Sequence, residues 1–72
     1  MPQFILNKNA RSNGDHEVHN LTARCSHLPG HENQIDLGHH QSCREAVAEA
    51  KRIWPKNRIN GCYYCANECH TS

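Results

Sequence analysis

The chain reads as a small α+β domain stapled by zinc, with a two- or three-stranded antiparallel sheet and one main helix. Three observations predict this. Several short β-prone runs surround a single capped amphipathic helix. Core material is scarce: the 72 residues include one Phe, one Trp, two Tyr and one Met, and 36% are hydrophobic. The excess lies in five cysteines and seven histidines, the residues that bind transition metals as thiolate and imidazole. A domain of this size buries only about 60% of the surface its unfolded chain exposes. A single core below about 70–80 residues rarely supplies more than about 3–5 kcal/mol, so a staple is expected. We read one domain over residues 1–72, with its core at about 3–70 and no internal repeat.

Gln3 to Asn7 is the first strand, with Phe4, Ile5 and Leu6 as its apolar centre. A polar stretch follows and ends in Asn13-Gly14-Asp15, a strong turn signal. His16 to Leu21 is the second strand. Side chains alternate along a strand, which puts Val18 on one face and His19 on the other. The two strands make a hairpin with a long loop. Thr22 to Glu32 is a loop marked by Pro29-Gly30. Gln34 to Leu37 is a third short strand with Ile35 and Leu37 facing inward. Ser42-Cys43-Arg44-Glu45 matches the capping box, in which Ser and Glu satisfy free backbone N–H groups. The helix runs from about Ser42 to Trp54. Cys43, Ala46, Val47, Ala50, Ile53 and Trp54 form its apolar face, and Pro55 stops it. Asn60-Gly61 reads as a tight turn into Cys62-Tyr63-Tyr64-Cys65. The tail from Ala66 to Ser72 has room for one more helical turn.

Cys62-x-x-Cys65 carries the sharpest chemistry. Two thiolates at this spacing reach one metal, with backbone N–H groups turned toward the sulfurs. The same motif serves in redox dithiols. A thioredoxin-type dithiol opens a long helix, and seven residues follow Cys65 here. A tetrahedral zinc needs two more ligands. Cys25, Cys43, Cys69 and the histidines are the candidates. Cys43 lies on the apolar helix face and reads as a small buried hydrophobe. Cys69 and His70 belong to a tail that can fray. His27, His31, His39 and His40 sit in polar loops and read as solvated. His16 and His19 lie on the strand that leads to Cys25.

The run Glu17-Val18-His19-Asn20-Leu21, then Cys25, an Ile-Asp-Leu segment, a short helix and Ile59-Asn60-Gly61-Cys62-Tyr63-Tyr64-Cys65 resembles small bacterial proteins of the Ada metal-binding type. These are related to the N-terminal zinc domain of a DNA-repair methyltransferase. The resemblance covers Phe4 to Cys65. It implies two strands, a His-or-Cys…Cys pair, a third strand, an Ala-rich helix and a terminal Cys-x-x-Cys. It maps the first ligand onto His19, the second onto Cys25 and the last pair onto Cys62 and Cys65. The first pair is usually tighter than His19-x5-Cys25, and Cys69-His70 extends past the pattern. The methyltransferase has its acceptor cysteine where this chain has His19. The resemblance therefore implies a fold and a metal site without the repair reaction.

The ligand set expected is His19, Cys25, Cys62 and Cys65, with Cys69 or His70 as the substitute for His19. Cys25 is the one further cysteine outside both the helix face and the tail. A strand holds His19 more firmly than a tail holds Cys69 or His70. Cys43 is expected to be dispensable.

Eight basic residues nearly cancel seven acidic ones, so no long-range pull toward nucleic acid or an anionic membrane is expected. Phe4-Ile5-Leu6 is shorter than the apolar core of a signal peptide, and no run suits a transmembrane helix. The expectation is a soluble, cytoplasmic monomer in which clustered cysteines bind metal rather than form disulfides. The function expected is a structural-zinc module that contacts a protein or nucleic acid. Its contact surface would be Tyr63-Tyr64 with Arg52, Lys56 and Arg58, unless a tyrosine packs over the metal. The alternative is a thiol-redox or zinc-dependent catalytic protein using Cys62 and Cys65. No catalytic residue is assigned: no His-Glu-x-x-His helix is present.

Overall fold

In a computed structural model, which describes residues 1–71, the apolar run Phe4-Ile5-Leu6 becomes the middle of β1 (Gln3–Asn7). Three consecutive buried side chains suit an inner strand with both faces covered. β1 is flanked on both sides, by β2 (Asp15–Asn20) and β3 (Gln34–His39), each antiparallel to it. The β1–β2 connection turns at Gly14, whose φ of +93° suits glycine. Asn13 Oδ1 accepts from the Asp15 N–H there at 2.9 Å.

The sheet has a fourth strand that the sequence reading did not contain. Arg58–Gly61 forms β4, and it lies parallel to β2, giving the order β3-β1-β2-β4. The sheet is therefore mixed rather than purely antiparallel. The chain crosses from β2 through β3 and the helix before it returns to the open edge of β2, as a parallel pairing requires. Asn60-Gly61 is thus the end of a strand and not a tight turn.

β3 runs two residues beyond the expected Leu37 and carries a bulge. Phe4 pairs with Gly38 and Ile5 with Asp36, so Leu37 is the extra residue. Gly38 takes φ +85°, and Asp36 Oδ1 accepts from its N–H at 2.9 Å. The bulge lets Leu37 turn into the core, where it is buried.

Helix α1 (Cys43–Ile53) packs on the face formed by Phe4, Leu6, Val18 and Leu37. Ala46 and Ala50, both fully buried, let the helix approach the strands closely. Val47, Ile53 and Trp54 flank this contact as half-buried side chains. The capping box forms only in part. Ser42 is the N-cap but its side chain makes no capping bond. Glu45 reaches back to the Gln41 N–H at 3.1 Å, one residue earlier than the motif specifies.

The tail forms a short 3-10 turn at Asn67–Cys69; Ser72 lies outside the described residues. Cys69 is bonded to Cys43 in a disulfide that ties this turn to the start of α1. Three expectations are corrected by this bond, the first being that the cysteines form no disulfide. Cys43 is more than a small core residue, and Cys69 is not an available metal ligand. The helix face that buries Cys43 is also the surface onto which the tail folds. No helix among the described residues is long and apolar enough to cross a membrane.

Candidate metal centre

Strand alternation sets the first corner of the site. Val18 faces α1 within the core, so Glu17 and His19 share the opposite face of β2. His19 lies across from Ile5 and is fully buried. After β2 the chain turns sharply. Asn20 Oδ1 accepts from the Ala23 N–H at 3.0 Å, and the Leu21 carbonyl accepts from the Arg24 N–H at 3.1 Å. Arg24 adopts φ 56°, a left-handed conformation that costs a non-glycine residue about 1–2 kcal/mol. The turn brings the half-buried Cys25 back toward His19.

The remaining two corners come from the end of β4. The Cys62 N–H donates to the Val18 carbonyl at 2.9 Å, which extends the β2–β4 pairing by one residue. The Ala66 N–H then donates to the Cys62 carbonyl at 2.9 Å, closing the Cys62–Cys65 knuckle. Gly61 is required by close approach. A Cβ there would lie 2.7 Å from the Ala66 carbonyl oxygen and 2.7 Å from Cys69 Cβ.

His19, Cys25, Cys62 and Cys65 converge so that one donor atom from each lies within 4.8 Å of all the others. Cys25 Sγ and Cys62 Sγ are 3.8 Å apart. Cys65 Sγ is 3.6 Å from His19 Nδ1. This cluster can hold a metal ion. Among the described residues, the one backbone donor that reaches a knuckle sulfur comes from outside the knuckle: the Asn20 N–H donates to Cys65 Sγ at 3.2 Å.

The electrostatics suit a cation. Burial pushes the Cys65 thiol well above its ordinary range. The Asn20 N–H opposes that rise, and the neighbouring Cys25 and Cys62 sulfurs add to it. Burial holds His19 below the usual imidazole value, against the pull of Glu17, with His27 adding to the drop. Burial thus favours the neutral imidazole, the form that ligates metal. A cation among the sulfurs would offset the cost of ionising thiols so close together.

The other histidines lie outside the cluster. His70 Nδ1 donates to the Gly61 carbonyl at 3.0 Å, so it is not drawn into the ligand set. His16 is a core residue, with Nδ1 3.1 Å from the Asn7 carbonyl and its ring edge-on to Trp54. His27 is exposed but not merely solvated. It stacks on Tyr64 at 4.0 Å with a 6° angle between the rings. Tyr63 meets Tyr64 and His70 edge-on. Tyr63 and Tyr64 are 55% and 67% exposed, so neither covers the cluster. A shallow cleft beside them is lined by Arg11, Glu17, His27 and Cys62. Arg11 is thus a basic residue beside the tyrosines. Arg58 is paired with Asp15 at 2.8 Å, and Arg52 with Glu49.

Glu17 and Arg11 did not figure in the sequence reading of the site. Glu17 Oε1 lies 3.7 Å from His19 Nε2, and its other oxygen accepts from Arg11 Nη1 at 3.2 Å. The signal available was the Glu17-x-His19 spacing, which puts both side chains on one strand face. Comparison with protein families, curated proteins and solved structures finds no match to this chain.

Proposed function

We propose that the chain is a structural zinc module in which Nδ1 of His19 and the sulfurs of Cys25, Cys62 and Cys65 hold one ion. One observation carries this: the spacing of the donor atoms. Around a tetrahedral zinc, with Zn–S of about 2.3 Å and Zn–N of about 2.0–2.1 Å, two sulfurs stand roughly 3.8 Å apart and a sulfur and a nitrogen roughly 3.6 Å. The separations of 3.8 Å between Cys25 and Cys62, and 3.6 Å between Cys65 and His19, fit both. Three thiolates and an imidazole are a common structural zinc set, and soft thiolates select zinc over calcium or magnesium. Four protein donors complete the tetrahedron and leave no position for a reacting water, which favours a structural role over catalysis.

The dithiol alternative has less support. A reactive thiol is exposed and easily ionised. Cys62 is 1% exposed, and burial pushes Cys65 the other way. A cytoplasmic location would keep Cys43 and Cys69 reduced. The zinc centre is indifferent to this, because neither sulfur belongs to the ligand set. The exposed tyrosine pair is the part of the surface most suited to a contact. Eight basic residues nearly balance seven acidic ones, so the chain has no marked excess of cations to neutralise phosphates. That favours a protein partner over a nucleic acid.

Structural zinc in small domains contributes an apparent binding free energy of about 10–16 kcal/mol at neutral pH. Metal analysis of the purified chain should return one zinc per molecule. Stripping it with a strong chelator should collapse the dispersed NMR spectrum. A metal-free protein that keeps its dispersion would overturn the reading.

A further inference from the structure

His19 Nε2 is the one buried side-chain nitrogen or oxygen among the described residues that has no hydrogen-bond partner. Leaving a buried N–H without an acceptor is costly, so this atom calls for an account. The ring cannot simply turn over to relieve it. Nδ1 lies 3.6 Å from Cys65 Sγ, and His19 is enclosed on all sides, with no exposed surface. Whichever nitrogen meets the metal, the other must carry the proton, and here that is Nε2.

The facing acceptor is Glu17 Oε1, at 3.7 Å. Glu17 shares a strand face with His19, and its side chain is 13% exposed. Its second oxygen is engaged by Arg11 Nη1 at 3.2 Å. The carboxylate is therefore anchored at Oε2, while Oε1 makes no shorter bond and points toward the orphan nitrogen. A shift of under 1 Å would bring the two within the usual N–H···O range of about 2.7–3.2 Å.

We infer that Glu17, braced by Arg11, is a positioning residue of the metal centre: its carboxylate accepts the Nε2 proton of His19 and so directs Nδ1 at the ion. This rests on the zinc reading above and extends it past the ligands. A carboxylate behind a ligating histidine fixes the tautomer and the ring orientation and makes the imidazole a stronger donor. The bare distance suggests an ion pair between Glu17 and His19. The inference assigns the contact instead to a neutral imidazole donating one hydrogen bond.

The test compares wild type, Glu17→Ala and Glu17→Gln. Zinc affinity is read by competition with a chromophoric chelator, and two-bond proton–nitrogen NMR spectra of the histidine rings report the tautomer. Removing such a partner typically weakens metal affinity about 10–100-fold, and Glu17→Ala should fall in that range. Its Nε2 proton should also lose its protection from exchange. Glu17→Gln keeps an oxygen acceptor, so it should recover part of the affinity and retain the Nε2–H tautomer. A merely structural role for Glu17 would move neither the tautomer nor the proton exchange at saturating zinc. If Glu17→Ala binds zinc as wild type does, with the same Nε2–H signal, the inference fails and the zinc reading stands. If wild type itself takes up no zinc, both fail.

Discussion

Gly61 shows how much a single position carries in a chain this small. It ends β4, precedes the first knuckle cysteine, and lies where the tail folds back on the strand. Two of the contacts an added Cβ would meet are backbone atoms, the Ala66 oxygen at 2.7 Å and the Cys69 carbonyl carbon at 2.8 Å. Backbone cannot swing aside as a flexible side chain can, so the tail or the knuckle must move. Overpacking of this kind typically costs about 1–3 kcal/mol. Gly61→Ala should lower the urea midpoint accordingly, and an unchanged midpoint would show that the tail is not held against the strand. Asn60 adds to the same junction. Its Oδ1 accepts from the Gly61 N–H at 2.9 Å and the Thr71 N–H at 3.0 Å, while Nδ2 donates to Asp15 at 3.3 Å. At this scale the sequence was partly legible. His19, Cys25, Cys62 and Cys65 were readable from residue type, motif and strand placement. Gly61 was recognisable as special, but for the wrong reason: a turn and a close approach look alike in one dimension. Glu17 was hidden because its role depends on which nitrogen of His19 faces the sulfurs.

Among the elements, α1 and β1 were the most legible, because each carries its own signal. β1 has the expected bounds, and α1 matches the apolar face from Cys43 to Ile53. β4 was not legible. Its four residues, Arg-Ile-Asn-Gly, hold one large apolar side chain, and what makes them a strand is the open edge of β2. The bond from α1 to the tail was missed for a related reason: Cys43 is 26 residues from Cys69, and no local pattern links them. A disulfide closing a loop of that length should stabilise the fold by about 3–4 kcal/mol on chain-entropy grounds. Cys43→Ala should therefore cost the oxidised protein far more than a small buried side chain would. Reducing the wild type should bring its denaturation midpoint close to that of Cys43→Ala. A variant as stable as oxidised wild type would mean that the two sulfurs do not pair in solution. Zinc affinity should fall much less than for a ligand variant, since both sulfurs lie outside the cluster.

At the scale of the whole molecule, the fold has two faces with different work. Phe4, Leu6, Val18 and Leu37 bury α1 on one side of the sheet, and His19 and Ile5 occupy the other. The first is a thin core, closed by two alanines and a disulfide. The second is where one ion would gather β2, the Cys25 turn and the knuckle. Composition announced this division, since the chain is short of large apolar residues and rich in cysteine and histidine. The central claim is that a single metal ion joins those segments through His19, Cys25, Cys62 and Cys65. Cadmium-113 substitution tests it most directly, because scalar coupling names each ligand. We predict one cadmium resonance coupled to the β protons of Cys25, Cys62 and Cys65 and to ring protons of His19. Coupling to His70 or His27 in place of His19, or no coupling to Cys25, would contradict the account.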